Sequence, residues 1–225
     1  MRRAAVACLL VMGLTLGVSA LRATPIAVYN TGVDGSGALL PDGAVDPHYQ
    51  LISSADPAFP GPNAVVVQSQ AWPIPPWVAN GPNSNWIGPR TDAGVGNLPG
   101  TYIYETTFDL TGLDPATSMI TGIWTTDNNG LDILLNGVSL GYTTPYDAFS
   151  ALDSTHYAFT INGGFVPGIN TLDFVVFNEA DAPPNPTGLR VELSGRDGVP
   201  EPATLGLVGL GLLGVGLLRR RLVVR

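Results

Sequence analysis

The chain has no lysine, one cysteine and two histidines, and only 12% of its 225 residues are charged. A single cysteine, Cys8, leaves no internal disulfide to hold a fold. The two histidines, His48 and His156, belong to no H-x-x-x-H or H-E-x-x-H pattern, so a zinc site is not predicted. Hydrophobic residues reach 45%, which is enough to build a packed core.

Basic side chains are scarce in the body of the chain. Between residues 24 and 200 the basic residues are Arg90, Arg190 and Arg196, whereas every acidic residue except Glu201 lies in that range. Nucleic acids are bound by basic faces that neutralise phosphates. The composition therefore predicts no nucleic-acid partner.

Residues 1–23 have the parts of a secretory signal peptide. The basic pair Arg2 and Arg3 precedes an apolar run over residues 4–18, and small residues follow at a site for signal peptidase. We expect export by the Sec machinery and cleavage. A retained anchor helix is the alternative, but the run is shorter than the ~20 residues that span a bilayer. Cleavage removes Cys8, so core burial alone, or with a bound ion, must stabilise the exported fold.

The C-terminus combines three features in a fixed order: a proline-flanked glutamate, an apolar stretch over residues 203–218, and a basic cluster. The motif residues are Val199, Pro200, Glu201 and Pro202, and the basic cluster is Arg219, Arg220 and Arg221. A helix over residues 203–218 is about 24 Å long. Arginines hold their end of a membrane helix in the cytoplasm, so the body is left outside.

This tail resembles the PEP-CTERM sorting signal of bacterial surface proteins over residues 199–221. The resemblance implies recognition by an exosortase-type membrane protease and removal of the tail near residues 200–202. The protein is then anchored in the inner membrane only in transit, and is delivered to the cell surface or the extracellular matrix. An ordinary tail anchor is the alternative, because a short glycine-containing span also suits a plain membrane helix.

Residues 24–198 are predicted to form one all-β domain. Apolar and polar side chains alternate over residues 101–110 and again over 189–194, as in half-buried strands. Residues 172–177 are apolar on both faces, which is typical of a central strand covered on both sides. Further strands are predicted over residues 49–52, 64–67, 86–87, 117–126, 131–135, 138–140 and 157–161. Asn136-Gly137 predicts a two-residue hairpin turn, and residues 127–130 predict a second turn.

The strand series has a familiar order: a strand over residues 104–110, a strand and turn over 133–137, Phe149 in a loop, and a turn and strand over 168–178. It resembles the galactose-binding-like jelly roll over about residues 102–195. The resemblance implies a single antiparallel β-sandwich, of the kind found as sugar-binding appendages and as free-standing surface domains.

Three tryptophans, Trp72, Trp77 and Trp86, lie close together among prolines and asparagines. Flat aromatic faces beside amide groups suit the stacking of sugar rings, so these three residues are the predicted ligand-binding set. The alternative is that they pack over one open end of the sandwich. Trp124, within a predicted strand, is expected in the core.

A structural calcium ion is a second open question, with Asp127 and Asp132 as candidate ligands around Gly130. The EF-hand order fails, because Leu131 stands where an oxygen ligand is required. A turn that caps two strands is favoured over a calcium site, and no other cofactor is predicted.

No catalytic group stands out. Ser139 lies in a G-x-S-x-G pattern, but no helix follows it and the first glycine already serves the hairpin. The sequence therefore predicts a non-enzymatic surface or matrix protein that binds or organises exopolysaccharide. The alternatives are a purely structural envelope or matrix protein and a secreted polysaccharide hydrolase or lyase, because the acids permit a carboxylate pair.

Overall fold

The computed structural model describes residues 23–153, 155 and 157–198. Across these residues the chain forms strands and two short 3-10 helices, but no α-helix. The predicted sorting tail and all but the last residue of the predicted signal peptide lie outside this part. None of the helices in the described part is long and apolar enough to cross a membrane.

The strands are numbered in chain order. They are β1 (Thr24–Ile26), β2 (Val45–Ser53), β3 (Asn63–Val66), β4 (Ile87–Gly88), β5 (Gly100–Asp109), β6 (Ser118–Asp127), β7 (Asn129–Leu135), β8 (Val138–Ser139), β9 (Ala158–Ile161), β10 (Ile169–Asn178) and β11 (Gly188–Asp197). The 3-10 helices are η1 (Ala93–Val95) and η2 (Ala148–Ser150). Each predicted strand has its counterpart, and β1 is the strand that was not predicted.

The strands form one antiparallel sheet in the order β8-β7-β10-β5-β2-β3-β4-β11-β6-β9, with β1 beside β11. The sheet curls on itself, because rings from the two ends of this order meet. Trp124 on β6 and Phe159 on β9 lie with ring centroids 5.8 and 6.2 Å from that of Phe174 on β10. The all-β prediction is confirmed, and the two halves of the sheet enclose one core.

Strand alternation places the core side chains as the sequence predicts. On β5, Tyr102, Tyr104 and Phe108 are buried, whereas Thr107 and Asp109 are exposed. Strand β10 pairs along its whole length with β5 and also with β7, so it is central. Its inner face is fully buried, but its outer face, which the sequence predicts to be covered as well, is only partly so.

The Asn136-Gly137 turn is confirmed. Asn136 and Gly137 have φ values of 52° and 77° between β7 and β8, as a two-residue turn with two left-handed positions requires. Leu134 and Leu135 pair with Ser139 and Val138 across it.

Gly137→Val is expected to reduce the free energy of unfolding by about 1–2 kcal/mol, because a β-branched residue is forced to positive φ. A Cβ atom at this position meets no atom within 4 Å, so the loss of stability is attributed to backbone strain and not to a steric clash. Urea unfolding measures the stability of Gly137→Val and of Gly137→Asn. The asparagine variant is expected to be the more stable of the two, because asparagine tolerates the left-handed region. Equal stability of the two variants would contradict this account of the turn.

The segment over residues 127–130 differs from the predicted turn. Strand β6 continues through Asp127 and β7 begins at Asn129, but β6 pairs with β11 and β9 while β7 pairs with β10 and β8. The segment is therefore a corner at which the chain crosses from one half of the sheet to the other. This corner brings Asp127 and Asn128 to the loops that follow β3, β8 and β10.

Candidate functional site

A small cluster of buried side chains lies apart from the main core, among the loops that follow β3 and β4. Trp77 and Trp86 are 2% and 0% exposed, and their ring centroids are 4.3 Å apart. Trp86 donates its indole N–H to the carbonyl oxygen of Val78 at 2.8 Å. The remaining buried members are Val67, Ile74 and Ala93. Both tryptophans are therefore core residues of this cluster, and neither offers a free ring face to a sugar.

Trp72 has a different environment, because 46% of its surface is exposed. It packs against Gly94 in η1, where an added Cβ would collide with the Trp72 carbonyl oxygen and lie 3.1 Å from ring atom Cε3. The missing side chain at Gly94 thus lets η1 support the indole while part of it faces solvent. Trp72 is the predicted ligand-binding tryptophan that the structure leaves available.

Trp72 forms one wall of a surface cleft of about 350 Å³, which we call the aromatic cleft. Its lining residues are Trp72, Pro73, Pro76, Trp77, Asp127, Asn128, Tyr146, Phe149, Asp181, Ala182, Pro184, Asn185 and Pro186. The volume lies within the ~300–1,000 Å³ range of small-molecule sites. The walls combine aromatic rings and prolines with two carboxyl groups.

Asp127 is the most unusual group in the aromatic cleft. Only 3% of its surface is exposed, and Trp77 donates its indole N–H to Oδ2 at 2.6 Å. Oδ1 is buried and has no hydrogen-bond partner among the residues that the structure describes. Burial raises the pKa of Asp127 to about 7, against the opposing effect of the Trp77 bond and with a further increase from the Asp181 charge. This carboxyl group can therefore hold a proton at near-neutral pH and still bind another polar group.

Tyr146 and Asp181 also line the aromatic cleft. The exposed Tyr146 hydroxyl donates a hydrogen bond to Asp181 Oδ2, and this bond raises the pKa of Tyr146 to about 12. The loop that carries Asp181 is held to the corner by Asn128, whose Oδ1 accepts the Glu179 N–H at 2.8 Å. The Tyr146 phenol therefore stays protonated at neutral pH, and its hydroxyl group remains a hydrogen-bond donor.

The sequence did not predict Tyr146 or Asp181 as site residues. They are 35 residues apart, and neither is within a recognisable motif. The available signal was weak: both lie in proline-containing loops that also carry polar residues, as binding loops commonly do.

The two calcium candidates occupy separate environments. Asp132 Oδ1 accepts the backbone N–H groups of Ile133 and Gly141, both at 2.8 Å, and its Oδ2 bonds the Ser139 hydroxyl. Asp132 therefore braces the β7–β8 hairpin, whereas Asp127 lines the aromatic cleft. No group of three or more His, Cys, Asp or Glu side chains that could hold a metal occurs in the described part of the chain.

Comparison with known families finds a sorting motif at the C-terminus. The family model of the PEP-CTERM protein-sorting motif matches residues 198–221. A search of curated proteins finds no match for the chain. The motif indicates an exported protein that an exosortase sorts and that is anchored transiently in the membrane, and its described body is an all-β domain.

Proposed function

We propose that this chain is a non-enzymatic cell-surface or matrix protein that binds exopolysaccharide through the aromatic cleft. The observation that carries the proposal is the supported but half-exposed ring of Trp72 at the edge of a cleft with carboxyl groups. The sorting motif supports it, because it indicates an exported protein, and exopolysaccharide is an exported polymer.

The chemistry of the cleft suits a sugar. A pyranose has apolar C–H faces, which pack against aromatic rings, and hydroxyl edges, which need hydrogen-bond partners. Trp72 and Tyr146 supply ring surface, and the unpartnered Oδ1 of Asp127 supplies a buried polar contact. Leaving such an atom unpaired is costly, so a bound hydroxyl gains more there than on an open surface.

Trp72→Ala is expected to weaken binding of the host cell's exopolysaccharide at least about tenfold while the fold persists, because the ring is half exposed. Binding of the full chain in detergent is measured by calorimetry, together with its thermal unfolding. Gly94→Ala is expected to weaken binding as well, because the added Cβ collides with the Trp72 carbonyl oxygen and presses on the edge of its ring. Its matched control is Gly35→Ala, where an added Cβ meets nothing within 4 Å.

These variants also test the alternative of a purely structural protein. A folded wild-type chain that binds none of the host polysaccharide would overturn the binding proposal and favour that alternative. Binding that survives in Trp72→Ala would show that the ligand lies elsewhere.

The tail is proposed to act as a cleaved sorting signal and not as a plain anchor. A protease must read the extended backbone that Pro200 and Pro202 impose and the carboxylate between them. Glu201→Gln is therefore expected to accumulate uncut in the inner membrane, while the wild type appears outside the cell with a mass ending near Pro200. Mass spectrometry of both fractions decides this, and a wild-type surface protein that retains Arg225 would contradict it.

A secreted hydrolase or lyase is the second candidate function. The observation that favours it is Asp127, which holds a proton up to a pH of about 7 in a cleft that also contains the Asp181 carboxylate. Glycoside hydrolysis uses such a pair, one carboxyl as acid and one as base or nucleophile. Release of reducing ends or unsaturated products from the host polysaccharide, lost in Asp127→Asn, would establish this function in place of simple binding.

The domain is also proposed to be a galactose-binding-like jelly roll. An antiparallel sheet curled around one core supports this assignment. An experimental structure whose strand order is not that of a galactose-binding-like jelly roll would contradict this assignment.

A further inference from the structure

A second cleft adjoins the aromatic cleft. Its volume is about 530 Å³, and Asp181 and Asn185 line both clefts, so they form the boundary between them. Its lining includes two large exposed hydrophobic side chains, Val95 at the end of η1 and Leu98. We call this second depression the Val95 cleft.

The two clefts are also connected on the other side of Trp72. A shallow depression of about 120 Å³ has both Trp72 and Val95 in its lining. The aromatic surface of Trp72 and the apolar surface of Val95 are therefore continuous around η1. Each cleft alone is of the size that accepts a small molecule, and the two in succession fit a longer, chain-like ligand.

Each cleft is lined by a residue with a buried side-chain oxygen that has no hydrogen-bond partner within the described part of the chain. These atoms are Asp127 Oδ1 for the aromatic cleft and Asn97 Oδ1 for the Val95 cleft, and a ligand hydroxyl reaches them only by displacing the atoms that cover them. Both residues are more than nine-tenths buried. Asn97 is fixed in place because its Nδ2 donates to Asp56 Oδ2 at 3.0 Å. Two such atoms along one surface suit a ligand that carries a hydroxyl group in each of its repeating units.

The charge around the clefts disfavours an anionic ligand. Asp56 and Asp181 line the two clefts. Arg90 is the single basic residue among the described lining residues, and its guanidinium bonds both carboxylate oxygens of Asp92 at 2.7 and 2.8 Å. A polymer of uronic acids or sulfated sugars would meet carboxylates without a free cation, and like charges disfavour such an encounter.

We propose, on the basis of the binding function above, that the ligand is an uncharged polysaccharide segment that occupies both clefts and crosses between them at Asp181 and Asn185. Trp72 and Asp127 contact one part of the segment, and Val95 and Asn97 contact the next. The site thus recognises a chain of several neutral sugars and not a terminal monosaccharide.

The test uses the host cell's own exopolysaccharide, separated by anion exchange into neutral and anionic fractions and trimmed to fragments from a monosaccharide to a hexasaccharide. Binding to the full chain is measured by calorimetry. The affinity for neutral fragments is expected to rise with length until both clefts are filled. Val95→Ser should then lower the affinity for the longest neutral fragments about three- to tenfold and leave the affinity for the shortest fragments unchanged. Val138→Ser, at a similarly exposed valine on β8, is the matched control and should change neither.

The outcomes separate this proposal from the proposed function. If Trp72→Ala abolishes binding but affinity does not depend on length and Val95→Ser has no effect, the protein binds sugar in the aromatic cleft alone, and the two-cleft proposal is wrong. Tighter binding of the anionic fraction also overturns it. A folded protein that binds neither fraction overturns both proposals.

Discussion

Trp77→Ala is expected to lower the free energy of unfolding by about 3–5 kcal/mol, which is the usual cost of deleting a buried tryptophan side chain. Trp77 is almost fully buried, packs on Trp86 and donates a hydrogen bond to Asp127. The substitution opens a cavity among the loops and also removes the Trp77 N–H that donates to the Asp127 carboxyl group. Guanidinium unfolding followed by far-ultraviolet circular dichroism measures the loss.

Two further variants assign the loss to burial and to the hydrogen bond. Trp72→Ala removes the same side chain from a half-exposed position, so it should cost much less than Trp77→Ala. Trp77→Phe keeps an aromatic ring but has no N–H, and an intermediate loss is expected. If Trp72→Ala were as destabilising as Trp77→Ala, the assignment of Trp77 to a buried cluster would be wrong.

The stability of this cluster explains how loops form a site. Loops alone have few apolar contacts, and binding loops are commonly mobile for that reason. Here Trp77 and Trp86 give the loops a core of their own, and Trp72 lies five residues before Trp77 in the chain. The exposed tryptophan is thus supported by buried ones, so the proposed sugar-binding surface and the residues that stabilise it lie in one segment.

The strands could be predicted because alternation is a local property. The alternation of apolar and polar side chains within residues 101–110 predicts which of them face inward, and the burial pattern of β5 matches this prediction. Strand β1 was missed because its three residues are too few to alternate, and its partner β11 is more than 160 residues away. The corner at Asp127 was misread as a turn because Asp, Asn and Gly favour turns. Pairing with distant strands decides its path instead.

The site was less predictable than the fold for the same physical reason. The clustering of Trp72, Trp77 and Trp86 was visible, but which ring is buried depends on partners elsewhere in the chain. Trp77 is buried against Asp127, 50 residues later, and the Tyr146–Asp181 pair joins two other loops. No local pattern encodes contacts of this range, so the sequence could not tell which of the three rings is exposed.

Asp127→Asn is expected to remove a pH dependence from the stability of the protein. The Asp127 pKa is raised from 3.8 to about 7 in the folded state, mainly by burial. Between these values the folded state holds a proton that the unfolded state has released, so stability falls as the pH rises from about 4 to about 7 and is constant above. A shift of this size corresponds to a loss on the order of 4 kcal/mol. Asparagine is uncharged at every pH, and its carbonyl oxygen can still accept the Trp77 N–H.

The measurement compares urea unfolding of the wild type and of Asp127→Asn at a series of pH values, since their difference cancels the other titrating groups. The variant should match the wild type near pH 4 and become progressively more stable than it towards pH 8. Asp147→Asn, an exposed carboxyl group at the start of η2, is the control and should stay within about 0.5 kcal/mol of the wild type throughout. A difference between wild type and Asp127→Asn that stays constant from pH 5 to pH 8 would mean that Asp127 is already ionised in the fold. The same series bears on the second candidate function, because an acid that is ionised at pH 5 cannot donate a proton to a glycosidic oxygen at neutral pH.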